Sequence, residues 1–350
     1  MTLVVEPLTL VFTPFARGAP GDMWPLLSDT LQRSRGGVRV ATQNLSDPRV
    51  VDALIRVAQR RAVRVRAVVE EDYLFDSGRP APADPWAAAG ENEAGRAAFS
   101  ALARTGIRTR TDAAGGSLMH SNIVVATDVP EAGSAVLITS ANLTRSNAQR
   151  HYNATIAIRS ATVANMLEKA FDQAWAGDLR RPVAETTIAL SDGSACTVLT
   201  GANGETLDRA AELIDGATQT VEFTMFTLAT GNEALDALLR ARARGVQVRG
   251  VVDGDQVGQP WDAVPTLRGA GADVRYNPGV LTGGTGRMHQ KTMAVDGRRV
   301  LLGTGNWSTA ARSAHETAVA IAAPAGAQPW PLGQYVKAEI DRLFDLSPPV

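Results

Sequence analysis

The side chains best able to do chemistry lie in two short segments. One, RMHQKTMAVDGRRVLLGTGNWS, runs from Arg287 to Ser308, and the other, MHSNIVVATDVPEAGSAVLITSANLT, from Met119 to Thr144. Along a strand, residues i and i+2 share a face. His289 and Lys291 therefore project together, as do His120 and Asn122. Thr304 pairs in the same way with Asn306, and Ser140 with Asn142. A hairpin that returns each segment beside its own start brings the hydroxyl and the amide near the imidazole. Gly303 and Gly305 let backbone approach a ligand. Two such sets facing across a pseudo-twofold axis make one pocket of two imidazoles, one ammonium, two amides and two hydroxyls. These groups suit a phosphodiester. Lys and Asn donate to non-bridging oxygens and stabilise the added charge of the transition state. One imidazole attacks phosphorus, and the other protonates the leaving oxygen. No cluster of Asp, Glu, His or Cys has metal-ligand spacing, so metal-free chemistry without a cofactor is expected.

The elements that must position these groups occur twice. VRVATQNLSDPRVVDALIRVAQRRAVRVRAVVEED (Val38–Asp72) parallels VEFTMFTLATGNEALDALLRARARGVQVRGVVDGD (Val221–Asp255). Each begins with a strand-like run. Each then shows a helix start, Asp47-Pro48 in one and Asn232 in the other. Apolar residues follow at helical spacing, Gly245 stops the second helix, and a β-branched strand closes each unit. The Arg240–Gly245 run reads as a solvated helix end whose charge suits the dipole. ALARTGIRTRTD and TLRGAGADVRYN then add a helix end and another strand, and Met-His follows in both. Strands alternating with helices predict an α/β fold with a mostly parallel sheet flanked by helices in each half. The halves are assigned to 1–180 and 181–350, with a surface excursion at 73–96 in the first.

The second segment resembles the signature of the phospholipase D superfamily: His-x-Lys, four residues, Asp, six residues, then Gly-[Gly/Ser/Thr]-x-Asn. His289, Lys291, Asp296, Gly303, Thr304 and Asn306 match it. The resemblance spans both halves. It implies two repeats sharing one active site at their interface, a phosphohistidine intermediate and no metal requirement. It makes Asp296 structural. The first segment departs from the pattern, with Asn122 in place of Lys, Thr127 in place of Asp with Asp128 beside it, and a longer hairpin. The family also places an acid after each Asn; here Glu316 fills one position and Asn153 the other. By the same resemblance Glu316 reaches across to orient His120 as nucleophile. His289 then faces Asn153 and protonates the leaving group. His151 and His315, just before the acid positions, read as polar surface or turn residues, and Trp307 reads as packing.

The totals bound the rest. The chain has 350 residues, 45% of them hydrophobic, enough for two cores. Its 35 basic and 36 acidic residues give a net charge of −1, so bulk charge attracts neither nucleic acid nor membrane. The lone Cys196 excludes an internal disulfide and reads as a packed side chain. The apolar start carries Glu6 and two prolines and reads as a strand rather than a signal peptide, and no run is long enough to span a bilayer, so a cytoplasmic location is expected. Both His segments lie in one chain, so a monomer can complete the site. Nucleic acid, DNA or RNA, is the expected substrate, with Arg145, Arg150, Arg287, Arg298 and Arg299 as the basic lining. A phospholipid phosphodiesterase or phosphatidyl transferase, or a non-catalytic phosphodiester-binding module, is the alternative. The glycine-rich Gly279–Arg287 stretch reads as a flexible loop leading to His289.

Overall fold

A computed structural model describes the chain apart from residues 1, 15–17, 19–20, 61, 75–91, 113–117, 179–183, 280–285, 328 and 349–350. Most of the 73–96 excursion, most of the Gly279–Arg287 loop and the 180/181 boundary lie outside the described residues.

The first half runs β1 (Leu3–Val5), β2 (Leu8–Thr13), α1 (Met23–Arg33), β3 (Gly37–Thr42), α2 (Pro48–Ala58), β4 (Arg64–Val69), α3 (Glu93–Arg104), β5 (Arg108–Thr111), β6 (Ile123–Val129), β7 (Gly133–Thr139), α4 (Arg145–Gln149), β8 (Asn153–Ile158) and α5 (Ala161–Trp175). The second runs β9 (Ala184–Ala189), β10 (Ala195–Gly201), α6 (Glu205–Asp215), β11 (Thr220–Met225), α7 (Glu233–Ala243), β12 (Gln247–Asp253), α8 (Val264–Gly269), β13 (Asp273–Asn277), β14 (Lys291–Val295), β15 (Arg299–Gly303), β16 (Glu316–Ala322) and α9 (Pro331–Leu346). The repeat read from sequence is β3–α2–β4 against β11–α7–β12. Its helix starts are as expected. Asp47 accepts from the Arg49 amide ahead of α2. Asn232 accepts from Ala234 and Leu235 ahead of α7. Gly245 takes φ +86° where α7 stops, a conformation that L side chains rarely adopt. The Arg240 end of α7 is solvent-facing and pairs with Asp215.

Each half builds one eight-stranded sheet, in the orders β1-β2-β8-β7-β6-β3-β4-β5 and β13-β12-β11-β14-β15-β16-β10-β9. The α/β class and the two pseudo-symmetric repeats stand, but the mostly parallel sheet is corrected. Among the strands of the described residues, β3–β4–β5 and β11–β12–β13 pair in parallel and the other strand pairings are antiparallel. The reason is connection length. Helical crossovers return the chain in the same direction, whereas the tight β6–β7 and β14–β15 turns reverse it. The strand that follows each His, β6 or β14, then inserts antiparallel beside the first strand of the parallel trio, β3 or β11, as Ala41↔Ile123 and Met225↔Lys291 show.

Helices α1, α2 and α3 cover one outer face, and α6, α7 and α8 the other. Between the sheets lies a shared core with Leu167 and Phe171 of α5, Val336 and Ile340 of α9, and strand residues of both halves such as Ile123 and Val319. Cys196 belongs to this core, and burial pushes its thiol up to about 12. The two repeats are thus fixed back to back.

Candidate functional site

The pocket forms where the two His segments are stitched to the opposite half. His315 donates its amide to the Leu118 carbonyl at 2.7 Å, and His120 returns one to the His315 carbonyl at 3.1 Å. The mirror contacts are Tyr152 to the Arg287 carbonyl and His289 to the Tyr152 carbonyl, both at 2.9 Å. Each histidine therefore lies beside the acid position of the other half. The His120 Nδ1 sits 2.8 and 3.0 Å from the two Glu316 oxygens. A carboxylate accepts, so Nδ1 carries the hydrogen and Nε2 is left for a ligand. The His289 Nδ1 donates to the Ser140 carbonyl at 2.8 Å and lies 3.3 Å from the Asn153 Oδ1. Both cross-half contacts read from the family resemblance are present, with the Ser140 carbonyl as an additional, closer partner for His289.

Ser140, Thr304, Asn153 and Asn122 each commit side-chain polar atoms to protein partners. Ser140 Oγ donates to Asn153 Oδ1 and accepts the Ala154 amide. Thr304 Oγ1 donates to the Glu316 carboxylate and accepts the Thr317 amide. Asn153 spends its Nδ2 on the carbonyls of Asn147 and His151. Asn122 Oδ1 accepts from Thr42 Oγ1 at 2.7 Å and from the Gln43 amide at 3.2 Å. All four side chains are buried behind the imidazoles, where a polar group must find a protein partner. Asn142 and Asn306 differ. Asn142 donates to Gln43 Oε1, but the Oδ1 of each is buried without a partner among the described residues. An Oδ1 only accepts, so contact with an anionic oxygen falls to the Nδ2 hydrogens of these amides, one of which Asn142 spends on Gln43.

Lys291 is buried, donates to the His289 carbonyl at 3.1 Å and stands 5.4 Å over the Phe226 ring. Burial pushes its ammonium down to about 7, against the pull of Glu316 and Asp253. His289 is held well below the ordinary histidine value by burial and by the charges of Lys291, His151 and His120, with the Ser140 carbonyl opposing. Burial thus favours the neutral forms of both groups, and a nearby anion would favour their charged forms.

Phe226, whose ring lies 4.8 Å from that of His289, and His151, at 6.3 Å, are pocket walls that the sequence reading missed. The surface reading of His151 and His315 is corrected. His151 is half-buried, and its Nδ1 accepts the Arg287 amide at 2.9 Å. His315 is buried, with Nδ1 2.8 Å from Ser121 Oγ, and burial lowers its pKa. Both were drawn inward by the backbone stitches between the halves. Trp307 is buried against Phe223, as expected of packing.

Behind the histidines lie carboxyls that sequence reasoning also passed over. Glu70 and Asp112 both accept the Met119 amide, and Asp253 accepts the Met288 amide at 2.6 Å. Burial, the hydrogen bond to Asp112 and its charge raise Glu70 to about 8. Burial chiefly raises Asp253 to about 7. The signal was the acid ending both repeat strands, VVEED and VVDGD. Asp296 is structural: it accepts the amides of Thr218, Gln219 and Thr220 at 2.8–2.9 Å. Burial raises this carboxyl, but the amides of Thr220, Thr218 and Gln219 outweigh it and hold the carboxyl below its ordinary value. In the first half the carbonyls of Thr127 and Asp128 take the amides of Gly36 and Arg35 instead.

The basic lining is partly corrected. Arg287 borders the pocket, with Nε 3.0 Å from Asp255. Arg145 and Arg150 are exposed at the two ends of the α4 turn that follows Asn142. Arg298 and Arg299 lie at the far end of the β14–β15 hairpin, about 20 Å from His289 by strand rise. There they donate to the carbonyls of Ala327, Pro324 and Gly216. Among the described residues no group of three or more His, Cys, Asp or Glu side chains is arranged to hold a metal ion.

Two relatives are both named mitochondrial cardiolipin hydrolase. The Xenopus laevis protein is 36% identical over 96 residues, 27% of this chain and 43% of that one. The Chlamydomonas reinhardtii protein is 30% identical over 115 residues, 33% of this chain and 49% of that one. The chain spans about half the length of these curated relatives. In fold, it is similar to the crystal structure of phosphatidylserine synthase from Haemophilus influenzae. That match has a TM-score of 0.68 at 12% identity and covers 100% of this chain and 89% of that one. The family described as cardiolipin synthase, PLD-like domain, matches residues 27–175 and 211–343. Those spans hold both histidines, Lys291, both motif asparagines and Glu316, and the chain belongs to this family within the phospholipase D superfamily.

Proposed function

We propose that the chain is a metal-independent phosphodiesterase that works through a phosphohistidine, with nucleic acid as its substrate. The observation that carries the reaction class is the crossed pair of histidines, each with Nδ1 held by the other half: His120 by Glu316, and His289 by the Ser140 carbonyl. In this reading Nε2 of His120 attacks phosphorus, and the bond to the leaving oxygen breaks. Glu316 stabilises the positive charge that develops on the ring. Burial favours the neutral form of His289. That imidazole takes up its proton as the anionic diester enters and passes it to the leaving oxygen. It then accepts a proton from the water that cleaves the phosphorus–nitrogen bond. Lys291 and the amides of Asn142 and Asn306 hold the non-bridging oxygens.

Nucleic acid is favoured by the cationic mouth, with Arg287 at the pocket and exposed Arg145 and Arg150 beside it. The large exposed apolar side chains among the described residues are Val4, Val257, Trp261 and Leu346, a sparse set for a lipid surface. Among the described residues no helix is long and apolar enough to cross a membrane. The names of the matched relatives favour a second reading, a phosphodiester lipid of the cardiolipin type. The deciding experiment incubates the chain with labelled single- and double-stranded DNA, RNA and cardiolipin vesicles, each with and without EDTA. Cleavage of nucleic acid that survives EDTA is expected. Cleavage of the vesicles alone overturns the substrate, and activity lost to EDTA and restored by a divalent ion overturns the mechanism.

A further inference from the structure

The pseudo-symmetry supplies an internal control for surface charge. In the first sheet, Arg39 pairs in register with Arg66, and Arg66 with Arg108; Arg64 and Arg110 lie two residues along on the same face. The matching positions in the second sheet are Glu222, Arg249, Asp273, Gln247 and Arg275. Five arginines therefore stand where the other half has two arginines, two acids and a glutamine. The second half neutralises its face. Arg249 meets Glu222 and Asp341, Lys337 lies 3.4 Å from Glu222, and Phe344 of α9 lies 3.7 Å from the Arg275 guanidinium. The first half does so only in part. Arg39 meets Glu168 and Asp172 of α5, and Arg66 meets Asp172. Arg64 and Arg108 are exposed and have no carboxylate partner among the described residues.

These side chains line a cleft of about 1020 Å³ with Arg39, Arg64, Arg66 and Arg108 on its walls. A second hollow of about 580 Å³ adjoins it at Val63 and adds Arg35 and Arg60. The basic band runs along the start of β3, β4 and β5. The histidines abut the opposite ends of these strands, about 20 Å away by strand rise. A net charge of −1 for the whole chain means the band is a local concentration and not a bulk excess. Its arginines repeat about every 7 Å along a strand and about every 5 Å across strands, a grid for several phosphates at once. It is concave, which suits an inserted chain better than a planar bilayer. Trp175 stands at its edge between Arg66 and Arg110, 5.4 and 4.8 Å from their guanidinium carbons, an aromatic and arginine mixture of the kind that holds unpaired strands.

We infer that this face of the first half is a second binding site for single-stranded nucleic acid, held by its phosphates and separate from the catalytic pocket. The choice of nucleic acid over other polyanions rests on the function proposed above; the charge map does not. The test exchanges the two uncompensated arginines for the residues the second half carries in register, Arg64→Gln with Arg108→Asp. Both are exposed, and circular dichroism checks the fold. In a His120→Ala background that cannot cleave, anisotropy of a labelled oligothymidylate should show at least tenfold weaker binding. The slope of log affinity against log salt should shrink by about 1.4, two phosphate contacts on a single strand. With His120 restored, hydrolysis of bis-p-nitrophenyl phosphate should be unchanged. Unaltered affinity and slope would overturn the inference. So would a variant that loses binding to phosphatidylglycerol vesicles while keeping the oligonucleotide, which would make the occupant a membrane. If the active chain cleaves no nucleic acid yet the variant loses the oligonucleotide as expected, the nuclease reading fails and the second site stands.

Discussion

Lys291 is a buried amine held near 7, two residues from an imidazole whose neutral form burial also favours. A bound phosphate diester should oppose both shifts, so binding should be coupled to proton uptake. Calorimetry of a non-hydrolysable phosphonate at pH 8, in two buffers of different ionisation enthalpy, should show net uptake that Lys291→Ala reduces. The same substitution should lower turnover by about 10²–10³, the loss of one transition-state donor. Asn122 invites the opposite expectation, that a Lys there would restore the missing charge. The structure argues against it, because Asn122 Oδ1 is the acceptor for Thr42 and the Gln43 amide. Asn122→Lys should strand those donors in a buried site and lower the unfolding midpoint, with no gain in turnover. A faster and equally stable Asn122→Lys protein would contradict this. Which atom each motif residue addresses was not legible in sequence. Strand periodicity gives the face, but whether Ser140 and Thr304 meet a ligand or the neighbouring acid position depends on how the next strand closes over them.

At the scale of elements, the strand–helix–strand units were legible because caps, periodicity and the Gly245 stop are local signals. Strand direction was not, since a buried apolar run such as IVVAT reads the same in either sense and only the turn decides. The carboxyls behind the histidines were equally hidden: the VVEED and VVDGD strand ends do not show that Glu70 and Asp253 fold inward onto the Met119 and Met288 amides. These groups make a pH prediction. Glu70 is raised to about 8, so the folded state favours its protonated form. Its contribution is full below the unfolded value of about 4.3 and is lost as pH rises to about 8. Asp253, raised to about 7, acts in the same direction, whereas the lowered Lys291 favours folding as pH rises above 7. Glu70→Gln isolates the first effect. The stability of Glu70→Gln relative to the parent should improve between pH 5 and pH 8 and then level off. Parallel stability curves would mean that Glu70 is ionised in the fold.

At the scale of the whole molecule, two back-to-back sheets share a core and exchange two pairs of backbone hydrogen bonds, so one chain supplies both histidines of one pocket. Mixing His120→Ala and His289→Ala proteins should therefore recover no activity, whereas recovery would mean that halves of different chains assemble the site. The twofold repeat and the shared pocket followed from sequence, and the Glu316–His120 contact from the family resemblance. The charge difference between the two halves did not, because it emerges only when Arg39, Arg66 and Arg108 are brought into register beside their counterparts. The central claim is that the pocket forms a phosphoenzyme on the histidine that Glu316 orients. It is tested most directly by mixing the chain with a substrate labelled at phosphorus, quenching rapidly in alkali and mapping the labelled peptide. An acid-labile, alkali-stable label is expected on the peptide bearing His120 and is expected to be absent from His120→Ala; label on the His289 peptide, or turnover with no labelled histidine at any quench time, would rule this out.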